Sequence, residues 1–207
     1  IQKERRKNVT GVREIKADEL QAGQFIEEQV RRIAETVGDN SAINALSGGV
    51  DSSVVTVLGH RALGKKLSTY FIDSGLMRHG ESEDVVSEFE RLGVHVVTID
   101  ARKAFFSALK GITDPEKKRE AITQTFYKKV FGKLVRESGA RYLLQGTILT
   151  DIDETVAGIK RQHNVFEQLG IDPQKAFGYK IIEPLIQLRK DGVRKVAQAL
   201  GLQYDRI

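Results

Sequence analysis

The sequence predicts an α/β protein: a doubly wound, five-stranded, mostly parallel sheet with helices on both faces. Three observations carry that prediction. Apolar runs of strand length, at 41–46, 67–72, 95–99, 141–145 and 180–182, alternate with segments of helical period. The first run passes directly into a helix through the turn Ser47-Gly48-Gly49-Val50-Asp51-Ser52-Ser53. Ser47, Asp73 and Gly146 each follow a strand, so a parallel sheet can gather them at one edge, beyond the strand ends where ligands of such sheets bind.

Residues 1–20 are polar and basic, with Lys3, Arg5, Arg6, Lys7, Arg13 and Lys16 set against Glu4, Glu14, Asp18 and Glu19. They read as a solvated arm or linker ahead of one domain at 21–207. Phe25, Ile26, Val30, Ile33 and Val37 recur at helical spacing until Gly38. After the strand at 41–46, Val54, Val55, Val57 and Leu58 form one side of a helix from about Asp51 to Leu63, closed by Gly64. The end of that helix, Gly59 to Lys66, nearly spells the common nucleotide P-loop. It lacks the Ser or Thr that would hold magnesium, and it closes a helix whose N–H groups are already used.

The strand at 67–72 leads to Asp73. Glu81–Leu92 reads as a helix with Val85, Phe89 and Leu92 inward, and His95–Ile99 as a strand in which His95 is a core histidine. Asp100 can cap a short helix that turns Ala104, Phe105, Ala108 and Leu109 inward. Thr113-Asp114-Pro115-Glu116 is a helix start, with Thr113 and Glu116 spaced for a capping box and proline in the first turn. Phe126, Val130, Phe131, Leu134 and Val135 carry that helix to Gly139, and the strand at 141–145 ends at Gly146-Thr147. Residues 150–179 show no clean period, and a long polar loop near strand ends is expected to form a mobile lid. Within it Asp153 reads as a helix-capping acid. Lys180–Ile182 is a strand, and Val193, Val196, Ala197 and Leu200 mark a final amphipathic helix.

An apolar content of 40% in 207 residues supports a real core, and no stretch has the length or the flanks of a membrane span or a signal peptide. With no cysteine there are no disulfides, thiolate metal sites or cysteine nucleophiles, which fits a cytoplasmic protein. A net charge of +5 favours anionic partners such as nucleotides. No RNA-binding signature is present and aromatics are sparsely interleaved, so nucleic acid is not an expected partner.

The turn at 47–53 points to chemistry. Two glycines let the backbone bend tightly and approach a ligand. The first helical turn directs free N–H groups outward at the positive end of the helix dipole. Ser47, Ser52 and Ser53 add hydroxyls and Asp51 adds one carboxylate. Such a donor loop suits a phosphate, and the carboxylate suits the magnesium that accompanies phosphates.

Ser47-Gly-Gly-Val-Asp-Ser-Ser53 resembles the pyrophosphate loop of the ATP pyrophosphatases, the adenine nucleotide alpha-hydrolase-like group. Within that group the chain is most similar to the ATP-pyrophosphatase domain of GMP synthetase, over roughly 24–207. The shared patterns are Phe71-Ile-Asp-Ser-Gly-Leu-Met-Arg78, Asp114-Pro-Glu-Lys-Lys-Arg119, Gln145-Gly-Thr-Ile148, Ile159-Lys160 with His163-Asn-Val165, Glu183-Pro-Leu185, and the segment from Arg189 to Asp205. The resemblance implies that ATP places its β- and γ-phosphates on Ser47–Ser53, with magnesium at Asp51, a residue it also marks as catalytic. Phe71, Ile72 and Asp73, with Gly146 and Thr147, would hold the adenosine part. Lys160 would reach the phosphates as a catalytic lysine, and Asp151, Glu154, Lys190 and Asp191 match positions near the nucleotides.

The implied acceptor is xanthosine monophosphate, whose 2-oxygen is adenylylated before ammonia, from a separate glutaminase subunit or from solution, gives GMP. A second copy of the chain, as a homodimer, is a further implied partner. The chain departs from the family at Thr150, where the family has proline, and at Arg161-Gln162, where it has Ser-His. The dimerisation domain that follows Tyr204-Asp205 in the family is expected to be absent. Two alternatives follow from the same motif: a pyrophosphate-loop enzyme activating a different acceptor, as in sulfur or other nitrogen insertion, and an ATP-binding regulatory module.

Overall fold

The computed structural model describes residues 12–78, 80–156 and 179–202. Its centre is β1 (Ala42–Leu46), hydrogen-bonded in parallel on one side to β2 (Leu67–Asp73) and on the other to β4 (Tyr142–Leu144). The outer strands are β3 (Val96–Asp100), beside β2, and β5 (Lys180–Ile182), beside β4, giving the order β3-β2-β1-β4-β5 with every pair parallel. Parallel pairing requires crossovers, and helices supply them. The chain winds outward from β1 to β3, returns, and winds outward again from β4. The reversal opens a crevice between the ends of β1 and β4.

One face of the sheet carries the main core. There α1 (Ala22–Val37), α2 (Val50–Leu63) and α8 (Lys190–Leu200) pack side by side, and α3 (Glu81–Arg91) adds Val85 and Phe89. The opposite face carries a second cluster, built by Phe105 of α4 (Arg102–Leu109) and by Phe131 and Val135 of one long helical run. That run begins as α5 (Pro115–Gln124), widens to π-helical geometry over Thr125–Phe131, and ends as α6 (Gly132–Ser138). Gly59–Lys66 ends α2 and turns through a short 3₁₀ helix, so the P-loop look-alike has no free helix start.

Several sequence expectations change in three dimensions. His95 is exposed just ahead of the edge strand β3, where Val94 and Val96 turn inward, and Leu92 is exposed at the C-terminal end of α3. Asp114, not Thr113, caps α5: its carboxylate accepts the Lys117 N–H at 2.9 Å, with Pro115 at the first helical position. The start of the polar stretch is helical, as α7 (Leu149–Val156), while 157–178 lies outside the described residues. Among the described residues Asp153 caps no helix; it pairs with Arg189 at 2.6 Å.

The described part of the N-terminal segment is docked on the domain. Ile15 N–H donates to the Gln187 carbonyl at 3.0 Å, Lys195 Nζ to the Ala17 carbonyl at 2.9 Å, and Leu20 is buried in the main core. No helix among the described residues is long and apolar enough to cross a membrane. Leu20→Ala is expected to cost about 2–5 kcal/mol in a denaturant titration, as a buried leucine does, where a residue of a solvated arm would change stability by less than about 0.5 kcal/mol.

Candidate active site

The chain leaves β1 at the crevice and bends through Ser47–Gly49 before α2 starts at Val50. Gly48 makes the bend. Its φ is +80°, and a Cβ there would press on Met77 Cε at 3.3 Å. Gly49 is in ordinary extended geometry, φ −81° and ψ 153°, and a Cβ would meet only Ser47 Oγ at 3.6 Å. The first glycine is needed for backbone shape; the second leaves the mouth of the turn bare.

The amides of Val50, Asp51 and Ser52 occupy the first turn, where no helical carbonyl can reach them, and no side chain caps this end. They remain donors for an incoming anion. The serines act differently from the sequence expectation. Ser52 Oγ donates to the Gly49 carbonyl at 2.9 Å and accepts the Ser47 N–H at 3.2 Å, while Ser47 Oγ sits 2.9 Å from it. With its one proton committed to Gly49, Ser52 takes the Ser47 hydroxyl proton as well. Both hydroxyls stitch the turn to itself. Gly49 N–H leans on Ser47 Oγ at 3.4 Å, a long contact that a better acceptor can replace. Ser53 Oγ is buried without a hydrogen-bond partner among the described residues.

β4 closes the turn from the other side. A Cβ on Gly146 would lie 3.1 Å from the Asp51 carbonyl carbon and 3.2 Å from Ser52 N, so glycine sets how closely the β4 end approaches the helix start. Beside it Thr147 is buried, and its Oγ1 has no hydrogen-bond partner among the described residues. A cleft of about 210 Å³ runs between the turn, the Gly146-Thr147 backbone, and a wall of Phe126, Tyr127 and Phe131. These rings brace one another: Phe126 meets Tyr127 edge-on at 4.9 Å and stacks on Phe131 at 5.8 Å. Burial pushes the Tyr127 hydroxyl pKa up, so the ring keeps its proton at neutral pH. The π-helical widening aims this segment at the cleft, a common placement for such distortions. Helical spacing assigned Phe126 and Phe131 to the core and left Tyr127 unremarked. The usable signal was the concentration of three aromatics in the short stretch Phe126–Phe131 of a basic helix.

The strand-end residues divide. The side chains of Phe71 and Ile72 are buried in the two cores, so only their backbone can meet a ligand. β1 ends opposite Phe71, which leaves the β1-side backbone of Ile72 and Asp73 unpaired by β1 above the turn. Asp73 accepts the Gly75 N–H at 2.8 Å and faces Arg102 at 3.7 Å. Asp151, buried, accepts the Ile148 N–H at 3.0 Å and so caps α7. Lys160 lies outside the described residues.

Lys190, at the start of α8, is brought directly to the turn: its Nζ lies 2.8 and 3.0 Å from the two carboxylate oxygens of Asp51. Its neighbour Arg189 points elsewhere, to Asp153 at 2.6 Å and Glu14 at 3.0 Å, and these carboxylates, Asp153 foremost, hold its guanidinium firmly charged.

The sequence model of the NAD synthase family matches residues 22–129, which include the turn and the aromatic wall up to Tyr127. The chain belongs to the NAD synthase family. Its fold recurs in the NH3-dependent NAD synthetase of Campylobacter jejuni, with a TM-score of 0.67 at 16% identity over 91% of this chain and 77% of that one. Among curated relatives, the chain is 50% identical over 181 residues to one subunit of the glutamine-hydrolysing GMP synthase of Pyrococcus horikoshii, covering 87% of this chain and 57% of the relative. It is 47% identical over 192 residues to the glutamine-hydrolysing GMP synthase of Thermotoga maritima, covering 89% and 37%. The chain thus spans little more than half the length of the first relative.

In this NAD synthase family turn, Gly48→Ala is expected to lower stability by about 1–2 kcal/mol, the cost of a left-handed L-residue. Gly49→Ala should change the melting temperature far less. Equal losses in thermal melts would contradict the division of labour between the two glycines.

Proposed function

We propose that this chain is the ATP-pyrophosphatase part of a GMP synthetase-type ligase. In that reading the acceptor is the 2-oxygen of xanthosine monophosphate, which bonds to the α-phosphorus of ATP. The bond from that phosphorus to the bridging oxygen of the β-phosphate breaks, and pyrophosphate leaves with the electron pair. Ammonia then attacks carbon 2 of the adenylylated nucleotide and AMP departs, giving GMP. The observation that carries the ATP step is the uncapped helix start at the strand-order switch, where the Val50, Asp51 and Ser52 amides face the crevice with Lys190 beside them. Transfer of this kind needs positioning and charge neutralisation more than a protein nucleophile, and the donors present are of that type.

Each side chain takes a role on that basis. The first-turn amides receive the β- and γ-phosphates, and Lys190 neutralises the departing pyrophosphate. The cleft between Thr147 and the Phe126–Tyr127 wall, with the open edge of Ile72 and Asp73, takes the adenosine part. Lys160 would add a second cation from the segment outside the described residues.

The donor set fits magnesium held in the manner usual for nucleotides. Among the described residues no cluster of three or more His, Cys, Asp or Glu could hold a metal by itself, and Asp51 offers one carboxylate at the turn. The remaining positions would be filled by phosphate oxygens and water. When bound, the ion supplies charge neutralisation on the leaving group.

The choice of acceptor is supported by the GMP synthase relatives. Ammonia from a separate glutaminase subunit is supported by the fact that the Pyrococcus horikoshii relative is itself one subunit of a glutamine-hydrolysing enzyme. A homodimer and a cytoplasmic location complete the proposal.

Asp51→Ala is expected to reduce pyrophosphate release by about a hundredfold or more, the scale for losing a transition-state charge contact, with an unchanged circular dichroism spectrum. An unaltered release rate refutes the assigned role. The intact protein that contains this chain, supplied with ATP, magnesium, xanthosine monophosphate and ammonia, should yield GMP. Pyrophosphate without GMP would retain the ATP step and remove the acceptor.

A further inference from the structure

A polar thread runs through the main core, and none of the roles above uses it. Asn44, in the middle of β1, is buried on the sheet face that α2 covers, between Ala42 and Leu46. Thr69 is its direct register partner on β2. Thr56 comes from α2, and all three residues are at most 2% exposed. Their hydrogen bonds run in one direction. The Thr69 hydroxyl donates to Asn44 Oδ1 at 2.8 Å, Asn44 Nδ2 donates to Thr56 Oγ1 at 2.6 Å, and the Thr56 hydroxyl donates to the Ser52 carbonyl at 2.7 Å. The thread ends on the residue whose own hydroxyl holds both Ser47 and Gly49.

Stability does not account for this arrangement. Apolar side chains of similar size would fill the same space without desolvating polar groups, and a satisfied buried hydrogen bond contributes little net free energy. A threonine that bonds back to the carbonyl four residues earlier tends to bend a helix rather than stabilise it. What the thread does supply is position. Hydrogen bonds aligned head to tail in a low-dielectric interior polarise one another and tighten the hold on the last acceptor. The peptide unit joining Ser52 to Ser53 is then clamped at both ends, because its carbonyl takes the Thr56 hydroxyl and its N–H donates to Gly49 at 3.0 Å.

We propose that Asn44, Thr56 and Thr69 are positioning residues for the anion-binding turn: through Ser52 they hold Ser47–Gly49 and the free amides of Val50–Ser52 in the shape that receives the pyrophosphate part of ATP. The proposal rests on the ATP reading given above. A turn already rigid before the ligand arrives loses less free energy to ordering on binding, and donors aimed in advance need no reorganisation at the moment of reaction.

Calorimetric titration of the protein with inorganic pyrophosphate, and separately with ATP, both with magnesium, tests it. Thr56→Val keeps the shape of the side chain and removes the hydroxyl; it is expected to weaken pyrophosphate binding by about tenfold, the equivalent of one well-placed hydrogen bond. Thr56→Ser restores the hydroxyl and should restore the affinity. Ile33→Ala, in the core of α1, should lower the melting temperature while leaving affinity unchanged, which separates position from stability. Wild-type affinity in Thr56→Val overturns the proposal, as does an equal loss of affinity in Ile33→Ala. If Thr56→Val does not fold, Thr69→Val, the outermost link, is expected to show the same loss. If neither folds, the thread is structural and the proposal falls. A wild-type protein that binds neither pyrophosphate nor ATP would instead remove the ATP reading itself.

Discussion

The start of α2 leaves three amides without a cap among the described residues, and the rest of the structure is arranged around that unmet need. A helix usually meets the requirement with its own cap. Here no side chain caps the first turn, although serines lie on both sides of it. Their hydroxyls are turned inward to lace Ser47, Gly49 and Ser52 together, which holds the turn open while keeping its donors free. The parallel sheet contributes the location. With β1 central and β4 on the far side of the strand-order reversal, Gly146 comes within van der Waals contact of the Asp51 backbone. The mouth of the turn is thereby fixed against a second strand end.

Charge is distributed by the same geometry. Arg189 and Lys190 are neighbours in the chain, yet at the start of α8 they serve opposite directions. Arg189 ties the N-terminal segment, through Glu14, to α7, through Asp153. Lys190 reaches back to Asp51 across the crevice. A single helix start therefore links the docked N-terminal residues, the beginning of the polar stretch and the Ser47–Ser53 turn. These half-buried ion pairs remain open to solvent and contribute little stability individually; their consequence is where they put Lys190.

Much of the candidate site was legible before any fold was known. The Ser47–Ser53 turn announced itself because a strand-length apolar run, two glycines and a helical period meet within a few residues. The order of the strands and of most helices followed from the alternation of periods, though α7 did not, and Asp73 and Gly146 could be placed at strand ends. Other features were hidden for identifiable reasons. Nothing in the local pattern of His95 shows that it lies just ahead of an edge strand, so a histidine flanked by valines reads as buried. Thr113 and Asp114 both can cap a helix, and Pro115 at the first helical position decides for Asp114. The π-helical widening at Thr125–Phe131 depends on packing against the second core, and with it the turning of Phe126 and Tyr127 toward the cleft.

The sequence by itself determined the chemistry of the turn and the class of sheet that would hold it, because both rest on local matters: backbone freedom at glycine, the unmet N–H groups of a helix start, and side-chain periodicity. Only the tertiary structure decided which donors stay available and which are consumed internally, that Lys190 lies against Asp51, and that Asn44, Thr56 and Thr69 join into one thread. Those outcomes depend on strand order and register, which bring together residues far apart in the chain, and no local signal in the sequence encodes such distances.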